Sequence, residues 1–111
     1  MKILVAEDDA HIRAGLVELL RREGYETLSA RDGQETLALF DHHAPDFICL
    51  DIMMPGMDGY QVCREIRRRN AAIPIIFISA KSEEIDRVLG LELGADDFIM
   101  KPFGVDRKSV V

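Results

Sequence analysis

The chain has no tryptophan and only two tyrosines among its 111 residues, so it offers little aromatic surface on which a flat cofactor such as a flavin would stack. Cysteine is scarce too. Cys49 lies in an apolar run and Cys63 on the apolar side of a helical pattern, so both read as buried small hydrophobes rather than a disulfide framework. No CxxC or Cys/His spacing points to zinc. Basic residues are the minority: fourteen Lys and Arg face twenty Asp and Glu, for a formal net charge of −6. That balance argues against an electrostatic grip on DNA or an anionic membrane. The one basic run, Arg67-Arg68-Arg69, closes a helical pattern, where cations suit the helix dipole. No apolar run is long enough to span a bilayer. The chain passes from Met1-Lys2 straight into a short apolar stretch with no recognisable signal peptide, which makes the cytoplasm the expected compartment. Repeats, linkers and low-complexity tracts are missing as well.

What is present is one domain's worth of alternating patterns, enough to bury a core without metal or disulfide staples. Short apolar runs at 3–6, 27–30, 47–50, 75–79 and 97–100 mostly do not alternate polar with apolar, which suits strands covered on both faces of a parallel sheet. Between them lie helical patterns. The first carries Ile12, Leu16, Leu19 and Leu20 and stops at Gly24. The second spans 34–42 and ends before Pro45. The third spans 59–69 and presents Val62, Cys63 and Ile66. The fourth spans 82–93, presents Ile85, Leu89 and Leu93, and starts at Ser82 with Glu83 and Glu84. The order β-α-β-α-β-α-β-α-β predicts a doubly wound α/β fold.

In such sheets ligands bind beyond the carboxyl ends of the strands. Glu7, Asp8 and Asp9 follow the first strand, Asp51 follows the third, Ser79 ends the fourth and Lys101 follows the fifth. Parallel strands bring these to one edge. Carboxylates gathered there repel by roughly 4 kcal/mol per pair at 4 Å near a surface, so the cluster calls for a cation beyond Lys101. The donors are all oxygens, so Mg²⁺ or Mn²⁺ fits better than Zn²⁺. A carboxylate beside such an ion and a lysine can attack phosphorus, with the positive charges offsetting the transferring group. Taken singly, each residue has a plainer reading: Asp9 as a helix cap, Asp51 as a turn residue, Lys101 as a surface lysine. The loop Met53-Met54-Pro55-Gly56-Met57-Asp58-Gly59 contains ordinary turn signals, yet it also stands where a metal would take a backbone carbonyl, such as that of Met53. Four successive strand ends carrying these groups together favour a site. His11, His42 and His43 neighbour none of them and read as surface positions.

The segments Ile3-Leu-Val-Ala-Glu-Asp-Asp9, Leu50-Asp-Ile-Met-Met-Pro-Gly-Met-Asp-Gly59, Ile78-Ser-Ala-Lys81 and Gly94-Ala-Asp-Asp-Phe-Ile-Met-Lys-Pro-Phe103 resemble, in order and over residues 2–103, the receiver domain of two-component response regulators. The resemblance implies a flavodoxin-like five-stranded parallel sheet of order 2-1-3-4-5. It implies Asp51 as phosphoacceptor, Asp8 touching Mg²⁺ directly and Glu7 through water, and the Met53 carbonyl as a further ligand. Ser79 matches the hydroxyl residue and Phe98 the aromatic of the switch. Lys101 matches the lysine that contacts the phosphoryl group, and Lys101-Pro102 matches a cis peptide. The family takes its phosphoryl group from a phosphohistidine on a sensor histidine kinase and slowly hydrolyses it, so no enzyme acting on outside substrates is expected. The segment 90–97 is most similar to the winged-helix transcription-factor branch, which implies dimers formed on phosphorylation and DNA contact only through an output domain. A stand-alone receiver acting through protein contacts is the alternative.

Receivers normally close with a fifth helix, whereas only residues 104–111 follow Phe103. A stable helix needs more than two turns and an apolar face, and uncovering on the order of 400 Å² of apolar surface costs roughly 10 kcal/mol. Asp106-Arg-Lys-Ser-Val-Val111 also reads as one frame of a common sequencing adapter. Truncation is therefore expected, with an unstable or aggregation-prone monomer as its consequence; a natural short tail, the bare face covered by another chain, is the other reading. Two other functions are disfavoured. A flavodoxin-like electron carrier needs a phosphate-binding loop after the first strand, where Glu7, Asp8 and Asp9 stand. An aspartyl-phosphate hydrolase needs an acid two residues after its nucleophile, where Met53 stands.

Overall fold

A computed structural model of the chain describes residues 1–70, 72–79 and 97–100, with Ser79 and the last four through their backbone. The elements are β1 (Lys2–Ala6), α1 (Ala10–Arg22), β2 (Glu26–Ala30), α2 (Gly33–His43), β3 (Phe47–Asp51), α3 (Gly59–Arg69), β4 (Ile75–Ser79) and β5 (Asp97–Met100). The five strands form one parallel sheet in the order β2-β1-β3-β4-β5; the parallel sheet is the one the sequence pattern predicts, and the order is the one the family resemblance implies. The fourth helix expected over 82–93 and the tail 104–111 lie outside the described residues.

Successive residues of a strand point to opposite faces, and β1 shows the consequence. Leu4 and Ala6 pack with Ile48, Leu50, Ile75 and Phe77 of the sheet against Phe40 of α2 and Val62, Cys63 and Ile66 of α3. Ile3 and Val5 pack with Cys49 and Ile78 against Leu16, Val17 and Leu20 of α1. The central strands are thus buried on both sides, which is why their sequences are continuous apolar runs. At the sheet edge β2 is only partly covered: Ala30 is buried, Thr27 and Leu28 are half-buried, and Glu26 and Ser29 are exposed.

One expectation for α1 fails. Leu19 is 41% exposed, because it stands one helical step, about 100°, round from Leu20 and so off the stripe that faces the sheet. Val17 takes its place. The helix ends are fixed locally. Asp9 caps α1 by accepting from the His11 and Ile12 amides, Asp32 caps α2 by accepting from Glu35, and Asp58 with Gln61 forms a capping box on α3. Gly24, at φ 91°, follows α1 in the left-handed region, as its position after the helical pattern predicts.

Candidate functional site

The sheet register builds the site. Ala6 pairs with Leu50, so Glu7, just past the end of β1, and Asp51, the last residue of β3, stand side by side at the carboxyl edge. Asp51 pairs with Ile78. Glu7 is fully buried and Asp51 is 1% exposed, although both are acids. Asp8 is exposed. One carboxylate oxygen from each of Glu7, Asp8 and Asp51 lies within 4.8 Å of the others. At that separation each pair of like charges repels by on the order of 3 kcal/mol for an effective dielectric constant near 20. Three hard oxygen donors so close, two of them withdrawn from water, fit a divalent cation that prefers oxygen ligands.

The main chain orients these acids. The Glu7 amide donates to the Ala30 carbonyl at 3.0 Å, extending the β1–β2 pairing by one residue. Glu7 Oε2 accepts from the Asp9 amide at 3.0 Å. Asp51 Oδ1 accepts from the Met53 amide at 3.3 Å, an Asx-type turn that carries the chain out of β3. Met53 is 56% exposed beside its buried neighbour Met54. Gly56 then takes φ 77°, and Gly59 returns the chain by donating its amide to the Ile52 carbonyl at 2.9 Å.

Of the predicted site residues, the structure brings Glu7, Asp8 and Asp51 together, with Met53 next to them along the chain. Ser79 ends β4 opposite Met100, and Phe98 stands in β5 opposite Phe77. The side chains of Ser79 and Phe98, and all of Lys101, lie outside the described atoms. Asp9 is a helix cap, in line with its plainer reading. His11, His42 and His43 are exposed, and both cysteines are buried free thiols. Sequence reasoning passed over Arg13, whose Nη1 donates to the carbonyls of Glu7 at 2.8 Å and Asp8 at 3.4 Å. Its one signal was a long cation one turn into the helix that follows the acidic run.

No helix among the described residues is long and apolar enough to cross a membrane. Comparison with known proteins places these features. The family model described as "Response regulator receiver domain" matches residues 3–109. The alkaline phosphatase synthesis transcriptional regulatory protein PhoP of Bacillus subtilis (strain 168) is 47% identical over 102 residues, covering 92% of this chain and 42% of that protein. The probable transcriptional regulator ycf27 of Porphyridium aerugineum is 50% identical over 102 residues, with the same shares of 92% and 42%. The chain thus spans less than half the length of these curated relatives. Among solved structures, the receiver domain of the Francisella response regulator 1452 matches at TM-score 0.87 and 35% identity, covering 98% of this chain and 90% of that one. The Vibrio cholerae chemotaxis protein CheY4 matches at TM-score 0.90 and 28% identity, covering 98% and 94%. With the family model matched over nearly its whole length and a solved receiver domain sharing its fold, this chain belongs to the response regulator receiver domain family.

Proposed function

We propose that the chain is a phosphoacceptor switch that takes a phosphoryl group on Asp51 from a phosphohistidine of a sensor histidine kinase and changes conformation in response. The observation that carries this reading is the acidic cluster of buried Glu7, exposed Asp8 and buried Asp51, with ligand oxygens within 4.8 Å of one another at the ends of β1 and β3. Such a cluster offers a nucleophilic carboxylate and a place for the cation it needs.

A carboxylate oxygen of Asp51 attacks phosphorus. The bond from phosphorus to the imidazole nitrogen breaks, the imidazole departs and takes up a proton, and an acyl phosphate remains on Asp51. Glu7, Asp8, Asp51 and the Met53 carbonyl are the groups that would hold Mg²⁺, or Mn²⁺ in its place; when bound, the ion supplies positive charge against the transferring group. By their motif positions, Lys101 adds an ammonium to the same oxygens, the Ser79 hydroxyl donates to one of them, and the Phe98 ring reports the state. Met53 brings no acid to the position two residues past Asp51, so the acyl phosphate is expected to hydrolyse slowly and the chain to turn over no outside substrate. The transcription regulators among its relatives support a role in controlling transcription. That role would run through an output domain that contacts DNA, with dimerisation on phosphorylation, in the cytoplasm.

The test is incubation with acetyl phosphate and Mg²⁺, followed by mapping of the phosphate by mass spectrometry. Label on Asp51, lost on chelation and in Asp51→Asn, is the expected result. Equal labelling of Asp51→Asn overturns the proposal.

A further inference from the structure

We propose that Arg13 is a positioning residue for the cation site, holding the turn at Glu7 and Asp8 so that both carboxylates face Asp51. The inference rests on the site reading above.

β1 ends at Ala6. Were the strand to continue, Glu7 and Asp8 would point to opposite faces of the sheet. One oxygen of each nevertheless lies within 4.8 Å of an Asp51 oxygen, so the main chain leaves the extended path between them. Arg13 ties that departure. Its Nη1 reaches two successive carbonyls, Glu7 at 2.8 Å and Asp8 at 3.4 Å, whereas consecutive carbonyls of an extended strand point in opposite directions. The Arg13 amide donates to the Asp9 carbonyl at 2.9 Å, so main chain and side chain of one helical residue both hold the turn. Both guanidinium contacts go to main-chain oxygens, so the arginine shapes the site without occupying its ligand oxygens. The planar guanidinium suits this better than a flexible ammonium. The Asp9 amide then fixes the carboxylate of Glu7 at 3.0 Å.

The experiment is a calorimetric Mg²⁺ titration of the whole 111-residue chain, with metal-free melting measured alongside. Arg13→Met keeps the stem and removes the donors, and Arg13→Lys keeps the charge without the fork. Arg67→Met is the control: Arg67 Nη1 donates to the Ile73 carbonyl at 2.6 Å, away from the acids. Partners that orient a metal site typically cost about tenfold or more in affinity when removed, so Arg13→Met should weaken Mg²⁺ binding about tenfold and Arg13→Lys by a smaller, measurable factor. Arg67→Met should lower melting without moving the affinity. If Arg13→Met does not fold, Arg13→Lys decides alone: weaker binding supports the inference and unchanged binding overturns it. Affinity unchanged in a folded Arg13→Met, or weakened equally by Arg67→Met, overturns it while the site reading stands. An unaltered chain that binds no Mg²⁺ overturns both.

Discussion

Gly59 lies against the carbonyl of Asp51 so closely that a Cβ on it would overlap that oxygen and stand 2.7 Å from the Ile52 Cα. The first residue of α3 is therefore seated on the strand end that carries the candidate phosphoacceptor, and the 2.9 Å bond from the Gly59 amide to the Ile52 carbonyl holds it there. Gly59→Ala must push helix and strand apart. Overpacking of this kind costs about 1–3 kcal/mol, and here the displaced atoms belong to Asp51 itself. The variant is expected to lose about 2 kcal/mol in urea denaturation and to label more slowly with acetyl phosphate. Stability and labelling equal to the unaltered chain would mean that α3 can slide off β3 freely.

That contact is not legible in the sequence. The strands were visible because β1, β3 and β4 are buried on both faces, which leaves continuous apolar runs in the text. The acidic cluster was visible because a parallel register carries Glu7 next to Asp51 once Ala6 pairs with Leu50. Gly59 is legible as a turn residue at the start of the third helical pattern, but the letter for glycine does not say what its missing Cβ avoids. Arg13 was missed for a related reason: it bonds main-chain carbonyls, and a carbonyl acceptor belongs to every residue alike. Leu19 was misplaced because an apolar stripe read by spacing has soft edges, and only packing against the sheet decides which leucine falls outside.

Ala44 closes α2 in the left-handed region, at φ 45° and ψ 64°, with its amide bonded to the Phe40 carbonyl. Among the described residues it is the one non-glycine with positive φ. A side chain there costs roughly 1–2 kcal/mol relative to the right-handed region, a cost that glycine escapes. Ala44 is also exposed, so its methyl contributes little burial. Ala44→Gly is expected to stabilise the chain by about 0.5–1 kcal/mol, the gain from relieved strain being partly offset by the greater freedom of the unfolded glycine. Thermal melts of the metal-free protein measure it, and a lower melting temperature in the variant would contradict the backbone argument.

Cys49 sits in β3 on the α1 side of the sheet, 7% exposed, and burial pushes its thiol up from 9.0 to about 12. Folded and unfolded chains both hold this proton below pH 9, where its contribution to stability is fully present. Between 9 and 12 the unfolded chain gives up a proton that the native chain keeps. In that window Cys49 should therefore lower the unfolding free energy by about 1.4 kcal/mol per pH unit. Denaturation of the unaltered chain and of Cys49→Ala at a series of alkaline pH values isolates the effect, because the other groups that titrate there are common to both. The difference between the two should shrink as pH rises; a constant offset would mean that the thiolate is as well accommodated inside the sheet as in water. The same burial makes the native thiol inert at pH 8, so a disulfide reagent should modify Cys49 no faster than the chain opens, whereas prompt reaction under native conditions would show that β3 is accessible from the α1 face.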